Sequence, residues 1–393
     1  MTKIPSLNTA VLFGFTITFI FIRAFDEYTQ IVTRIIMPFF ALISVVALGG
    51  TRIFNYKVFL FYFYLFIWSL CTIIVASNLE NYLRYSQLFI GIIFIGLILE
   101  GFITKISDLY ALFWGILVGT LGIIFQGLIS GAFTSSIQIT DDLSRAAGIA
   151  DNANTFGSLI VMAALSASAL VLRKKMGFIL YSFISVVLTV AVLQTASRSS
   201  FIGYIMIQAY VIFKTYSSWS VLQRGLVFFS LFLVSLLGLG YIQLSIESFM
   251  NNTLLGYRLQ RESSSSDNLR SGLIVEGLQM ISRNPIVGVG SGNFTNNNKY
   301  GLYSHNDIIE LFATLGGIGL LIYSVFLSKA FGLFKRLSKS KLHSNWIGSF
   351  GLFTGLLFLL QGLFKPLFID ILWMFMLMAL IISSKKAKML EYK

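Results

Sequence analysis

Residues 58–76 read VFLFYFYLFIWSLCTIIVA, a mostly apolar run that contains no charged side chain. A helix needs roughly 20 such residues to cross the hydrocarbon core of a bilayer. The run therefore predicts a membrane-spanning helix. Similar runs recur along the whole chain, and together they predict twelve spans, at 7–23, 31–49, 58–76, 83–99, 109–130, 153–172, 177–195, 199–214, 221–244, 306–328, 345–364 and 366–384.

The composition agrees with this pattern. Of the 393 residues, 56% are hydrophobic and only 11% are charged, whereas soluble domains carry about 25% charged residues. So little charge cannot cover the surface of a long globular protein, which excludes a cytosolic enzyme, a secreted disulfide scaffold and a disordered chain. The single cysteine, Cys71, excludes an internal disulfide and a cysteine-based metal site. We predict an all-α polytopic membrane bundle that forms one membrane domain over residues 1–393.

The positive charge indicates the orientation of the chain. The net charge is +13, and in a chain this hydrophobic the excess points to cytoplasmic loops and not to nucleic acid. The basic clusters at 173–175, 335–336 and 385–386 fall on one side of the twelve-span topology. We therefore predict cytoplasmic termini. Other cations fall on the outer side, where topology does not require them, and an anionic ligand is one reason for them: Arg23, Arg34, Arg84, Arg145, Arg198, Arg258, Arg261, Arg270, Arg283, Lys299 and Lys365.

The one long loop, 245–305, lies between spans nine and ten and is predicted to be extracytoplasmic. Ile274, Leu278 and Ile281 predict a helix over 268–283 with an apolar face, and Pro285 ends it. The sequence GVGSGNF at 288–294 favours a tight turn, because it lacks the strand and the G-K-[ST] of a nucleotide loop.

The next span begins near SHND, where Ser304 is the predicted N-cap and Asp307 occupies the capping-box position. Within span ten, the glycines of LGGIGL (315–320) predict close helix packing.

Three outer residues are predicted to lie at helix N-termini: Arg198 in QTASRSSFIGY (194–204), Arg270 and His305. A cation at a helix N-terminus is unfavourable unless an anion shares the site. Backbone N–H groups at a helix start bind phosphate, and arginine adds a bidentate donor pair. The pattern therefore suggests a diphosphate site, although headgroup contact would also explain each arginine alone. Nearby positive charge favours a neutral His305, which suits a general base for a hydroxyl.

These residues carry a resemblance to a known family. NPIVGVGSGNF (284–294) followed by SHNDIIELFATLGGIGLLIY (304–323) resembles the signature of the O-antigen ligase and polysaccharide polymerase family, which are bacterial membrane glycosyltransferases of the GT-C type. The family pattern there is H-N-x, two hydrophobic residues, then E. TASRSS (195–200) resembles its S-R-G motif, with Ser199 in place of glycine. RAAGIADNANTFG (145–157) resembles another segment, with Ala153 where proline is common.

The resemblance implies a reaction on the outer face of the bacterial plasma membrane. The donor would be an oligosaccharide linked through diphosphate to undecaprenol. An acceptor hydroxyl would attack the anomeric carbon, and the lipid diphosphate would leave, without a metal or other cofactor. The implied catalytic residues are His305, Arg198 and Arg270, and the implied substrate-binding residues are Arg145, Asn306 and Glu310. Lys365 and Asp370 are further candidates for substrate binding, because they lie near the outer start of span twelve.

Three functions stay open at this stage. A polymerase would join two lipid-linked repeat units, and a ligase would move the glycan to lipid A-core or to a protein. A transporter or flippase would do no chemistry, but its six-span halves usually flank a central cytoplasmic loop, whereas the long loop here is external. We favour the polymerase because loop 245–305, although the longest in the chain, is short for a platform that binds a protein or a core oligosaccharide. Candidate partners are the lipid-linked oligosaccharide, the bilayer, and a chain-length regulator and flippase of the same pathway.

Overall fold

The computed structural model describes residues 6–23, 35–130, 153–195, 197–216, 264–341 and 344–391. Within these ranges the chain is helical and contains no strand. The twelve α-helices of the described residues are α1 Leu7–Arg23, α2 Met37–Leu48, α3 Lys57–Cys71, α4 Leu79–Phe102, α5 Ile106–Ile129, α6 Ala153–Leu172, α7 Phe178–Gln194, α8 Arg198–Tyr216, α9 Ser264–Arg283, α10 Asp307–Ser338, α11 Asn345–Gly362 and α12 Ile371–Glu391.

Every predicted span inside the described ranges overlaps one of these helices, while the ninth, 221–244, lies outside them. Among the described residues, the helices long and apolar enough to cross a membrane are Lys57–Val75, Leu79–Phe102, Ile106–Ile129, Ala153–Leu172 and Asp307–Ser338. Shorter apolar helices cover Leu7–Phe21, Met37–Leu48 and Phe178–Gln194. The architecture is that of a polytopic membrane bundle, and the count of twelve spans stays a prediction.

The chain divides into two compact units. The first comprises Met1–Arg23, Glu27–Gly115 and Ser264–Lys393, and the second comprises Ala24–Asp26 and Ile116–Ser263. In the first unit, α10 packs against α3, α9, α11 and α12. In the second, α6 packs against α7 and α8. The single domain over 1–393 stays a prediction, and each unit is described by itself.

Helix α10 is broken in the middle. Gly316 has φ 67° and ψ −172°, a backbone region that is essentially restricted to glycine. The break leaves carbonyl groups of the preceding helical turn without their usual partners. The glycine turn, residues 288–294, supplies donors for them: the N–H of Val289 donates to the Ala313 oxygen at 2.9 Å and the N–H of Gly290 donates to the Thr314 oxygen at 3.0 Å. The Trp68 indole donates to the Leu315 oxygen at 2.8 Å.

Helix α10 also donates a hydrogen bond back to the segment that precedes the glycine turn. The N–H of Gly317 donates to the Pro285 oxygen at 2.8 Å, so the second half of α10 begins with a satisfied amide. The prediction of close packing at Gly316 holds only in part: a Cβ there would lie 2.0 Å from the Ile286 carbonyl oxygen, so the approach is close, but the approaching segment is a turn and not a helix. The role of Gly316 is to allow the break that docks the glycine turn.

Helix α9 buries a face that only partly matches the predicted one. Leu273 and Met280 lie in a core with Phe294, and Ile281 of the predicted face packs against it, whereas Leu278 is 51% exposed. The cause is glycine, because a Cβ at Gly277 would lie 2.4 Å from the Ile309 side chain. The side of α9 that carries Gly277 therefore lies closest to α10.

Candidate functional site

The turn before α10 gives His305 an unusual backbone. His305 has φ 57°, a left-handed conformation that is uncommon outside glycine and that surrounding contacts must hold in place. The Asn306 side chain then accepts from the N–H groups of Ile308 at 3.1 Å and Ile309 at 3.0 Å. Asn306 is thus the N-cap of α10, and the prediction that Ser304 fills this role is wrong.

Ser304 instead closes the turn around His305. Its hydroxyl donates to the Asn306 carbonyl at 2.7 Å and accepts from the Asn306 N–H at 3.1 Å. The fully buried Glu310 accepts from the Ser304 N–H at 2.6 Å and, over 3.4 Å, from the Tyr85 hydroxyl. Asn306 and Glu310, both predicted to bind substrate, therefore also build the turn that presents the histidine.

The His305 ring is half-buried and stays neutral near pH 7. Burial and then the positive charge of Arg270 lower its pKa from 6.5 to about 4, against a hydrogen bond with the Phe364 backbone that favours the charged ring. The Tyr303 ring lies beside it, with centroids 4.1 Å apart. Arg270 and His305, predicted to share a site, are thus close enough in the first unit to interact electrostatically.

Lys365 and Asp370 form an ion pair in the loop between α11 and α12. The Lys365 ammonium lies 2.6 Å from Asp370 Oδ2, and both side chains are at most 20% exposed. Asp370 Oδ1 accepts from the N–H groups of Leu372 at 3.0 Å and Trp373 at 3.1 Å, which makes Asp370 the N-cap of α12. Phe364, whose backbone is bonded to His305, belongs to the same loop and directly precedes Lys365.

The second unit holds Arg198 as the first residue of α8. Its neighbours Ser197 and Ser200 are buried, with their hydroxyl oxygens 3.0 Å apart. A Cβ at Gly157, near the start of α6, would lie 2.3 Å from the Ser200 hydroxyl. The fold thus places Gly157, the last residue of the first of two segments that the sequence singled out, against Ser200, the last residue of the second. Arg145 itself lies outside the described residues.

Sequence reasoning missed Asp307 as a member of the site. It interpreted this residue as part of a capping box, but the carboxylate turns away and accepts from the backbone N–H groups of Leu367 and Phe368. The signal available was a carboxylate at the mouth of a long apolar span, where a charge is costly and therefore informative. Its long-range partners, some 60 residues onward in the chain, were not visible in the sequence.

Comparison with known proteins supports the predicted family. No curated protein matches the chain. Residues 183–324 match the family model described as O-antigen ligase, a range that contains Arg198, Arg270 and His305. The resemblance seen in the motifs is therefore confirmed over residues 183–324, where the chain matches this family model, and the match supports a function in glycan transfer at a membrane.

Proposed function

We propose that this protein is a bacterial polysaccharide polymerase that joins undecaprenyl-diphosphate-linked oligosaccharide repeat units on the outer face of the plasma membrane. The observation that carries the proposal is the neutral His305 held in a strained turn beside the positive charge of Arg270. A neutral imidazole can accept a proton, and a guanidinium can bind a diphosphate. These are the two functions that transfer from a lipid diphosphate requires.

In the reaction, a hydroxyl oxygen of the acceptor sugar attacks the anomeric carbon of the donor glycan. The bond from that carbon to the diphosphate oxygen breaks, and its electron pair leaves with the lipid diphosphate. His305 takes the hydroxyl proton, a general-base contribution worth about 10²–10⁴ in rate. No metal takes part in this scheme.

The cations stabilise the leaving group. Negative charge grows on the diphosphate as the bond breaks, so fixed positive groups lower the barrier most when they are in place beforehand. We assign this role to Arg270 and Arg198, with Arg145 in support. Lys365 and Asp370 form an ion pair directly after Phe364 in the chain, and we assign them, together with Asn306, to binding of the glycan. The fully buried Glu310 supports the site through the turn that presents His305.

A ligase is the second candidate, because the matching family model is described as O-antigen ligase. The two activities share the donor and the leaving group and differ only in the acceptor. The polymerase is favoured because loop 245–305 is short for a platform that binds lipid A-core or a protein. This argument concerns the acceptor and leaves the roles of His305 and Arg270 unchanged.

The test uses purified protein and lipid-linked repeat units as the only substrate. A ladder of lengthened lipid-linked glycans identifies a polymerase. Product that forms only after lipid A-core or an acceptor protein is added identifies a ligase. His305→Ala, Arg198→Ala and Arg270→Ala should each lower the rate of transfer at least about 100-fold while the protein stays in the membrane, and full activity in all three would overturn the site.

A further inference from the structure

A single buried carboxylate fastens the loop between α11 and α12 to the first turn of α10. Asp307 is 4% exposed, and its Oδ1 accepts from the N–H groups of Leu367 at 2.5 Å and Phe368 at 2.9 Å. Its Oδ2 accepts from the Tyr323 hydroxyl at 2.8 Å. Two consecutive backbone amides and one hydroxyl therefore converge on this side chain.

Further contacts hold the same loop. The Tyr62 hydroxyl donates to the Phe368 carbonyl at 3.0 Å, and Tyr62 itself is fully buried. A Cβ at Gly362, the last residue of α11, would lie 3.2 Å from the Asp307 Cβ, so a glycine there allows the close approach. The loop is thus anchored by α3, α10 and α11 together.

The anchored loop contacts His305. The ring is hydrogen-bonded to the Phe364 backbone, three residues before Leu367. Lys365, next in the chain, is paired with Asp370 at 2.6 Å. If Leu367 and Phe368 were released, the hydrogen-bond partner of the histidine and the position of this ion pair would both change.

Stability alone is a poor explanation for this carboxylate. Burying a charged group is costly even when it is well hydrogen-bonded, and apolar residues of similar size often serve a core as well or better. The resemblance gives Asp307 no role either, because it occupies the variable position of the H-N-x pattern. Its defined geometry points to positioning.

We propose that Asp307 is a positioning residue that fixes loop 363–370 and, through it, the ring of His305 and the Lys365–Asp370 pair. The inference about its effect on rate rests on the proposed glycan transfer. The inference about the ring of His305 does not, and it can be tested in protein that has no substrate.

Asp108 provides a matched control within the same unit. It is also fully buried and accepts from two backbone amides, those of Thr104 at 2.8 Å and Lys105 at 3.0 Å. It lies in the first turn of α5, at the end of the helix that the charge pattern predicts to be cytoplasmic. Asp108→Ala therefore costs a comparable set of hydrogen bonds without touching the loop beside His305.

The experiment combines two measurements on the full chain in lipid nanodiscs. The chain has only two histidines, so His343→Gln leaves His305 as the sole source of a ¹⁵N-histidine ring signal. In that background we expect Asp307→Ala to shift the ring signals and Asp108→Ala to leave them in place. Glycan transfer should fall about 100-fold in Asp307→Ala, since a displacement of 1 Å can cost that much, whereas Asp307→Asn, which keeps an acceptor oxygen, should retain most of the rate.

The outcomes separate the two claims. Unchanged ring signals in Asp307→Ala would overturn the positioning role, whatever the activity. Shifted signals in a protein whose wild type transfers no glycan would support positioning and count against the proposed function. Should Asp307→Ala fail to fold, Tyr323→Phe removes one of the three hydrogen bonds to the Asp307 side chain. A shift of the His305 ring signals in that variant supports the positioning role of Asp307, and unchanged signals overturn it.

Discussion

His305 combines a neutral ring with a neighbouring positive charge. The sequence predicted the neutral form from nearby arginines, and the pKa of about 4 agrees, although burial is the larger cause and Arg270 the second. A base this weak is far from the pKa near 7 that suits proton transfer at neutral pH. A bound diphosphate would neutralise Arg270 and raise the pKa of His305, so the residue would become a better base when the donor is present.

This coupling gives a prediction at the residue scale. Arg270→Ala should raise the pKa of His305 from about 4, but not fully to 6.5, because burial remains. Inorganic pyrophosphate should raise it in the wild type, since an anion favours the protonated ring. The pKa is measured from the pH dependence of the ¹⁵N ring signal in the His343→Gln background.

Arg283→Ala is the control, because Arg283 ends the same helix and is exposed. It should leave the pKa of His305 unchanged. The coupling is refuted if Arg270→Ala and Arg283→Ala have equal effects, or if pyrophosphate leaves the ring signal of the wild type where it was.

The break in α10 is the central feature at the scale of single elements. Gly316→Ala should destabilise the protein by more than the 1–3 kcal/mol typical of a residue in such a backbone region, because the new Cβ would lie 2.0 Å from the Ile286 carbonyl oxygen. Gly332 in the same helix provides the control, because the one atom close to an added Cβ there is the end of the Arg336 side chain, at 4.0 Å. Gly332→Ala should be neutral or slightly stabilising, as in ordinary helix interiors. Thermal unfolding in detergent measures both, and equal midpoints would contradict the assigned role of the break.

The contact between α6 and α8 yields a second prediction at this scale. Gly157→Ala places a methyl group 2.3 Å from the Ser200 hydroxyl and 2.8 Å from its Cβ, so the first turn of α8 must shift, and Arg198 with it. We expect glycan transfer to fall at least tenfold. Ser200→Gly in the same chain removes the clash and should restore much of the rate, a coupling that a double-mutant cycle measures.

Gly177 is the control in this unit, because an added Cβ there meets no atom within 4 Å. Gly177→Ala should leave transfer unchanged. Additive losses in the double variant, with no recovery, would show that the turn carrying Arg198 does not depend on this contact.

At the scale of the whole molecule, the length of α10 predicts on which side of the membrane the site lies. Its 32 residues would extend about 48 Å as a straight helix, more than the roughly 30 Å hydrocarbon core. Lys299 before it and Lys339 after it should therefore lie on opposite sides. In a Cys71→Ser background, Lys299→Cys should react with an impermeant maleimide from outside in intact cells, and Lys339→Cys only after lysis. The reverse pattern would place the site in the cytoplasm and contradict the predicted orientation.

The sequence was most informative where a pattern repeats locally. Long apolar runs located most helix starts within a few residues, although α10 continues ten residues past the predicted end of span ten. Single titratable residues such as Arg270 and His305 stood out because such residues are scarce on the outer side. Two features depended on contacts between distant segments and could not be predicted: the break at Gly316, whose partners lie in 285–290, and the attachment of Asp307 to the backbone of Leu367. The face of α9 was predicted only in part because the apolar pattern around Leu278 took no account of the glycines that set the closest approach.

The central claim is glycosyl transfer from a lipid diphosphate, and its stoichiometry is the most direct test. Purified protein in nanodiscs is given donor radiolabelled in the glycan, and new glycosidic bonds and released lipid diphosphate are counted together. We predict one released diphosphate for each bond formed, with rates lower by about 10²–10³ in Arg270→Ala and His305→Ala and unchanged in Arg283→Ala. Donor that is bound or moved across the bilayer with no diphosphate released would contradict the account and favour a transporter.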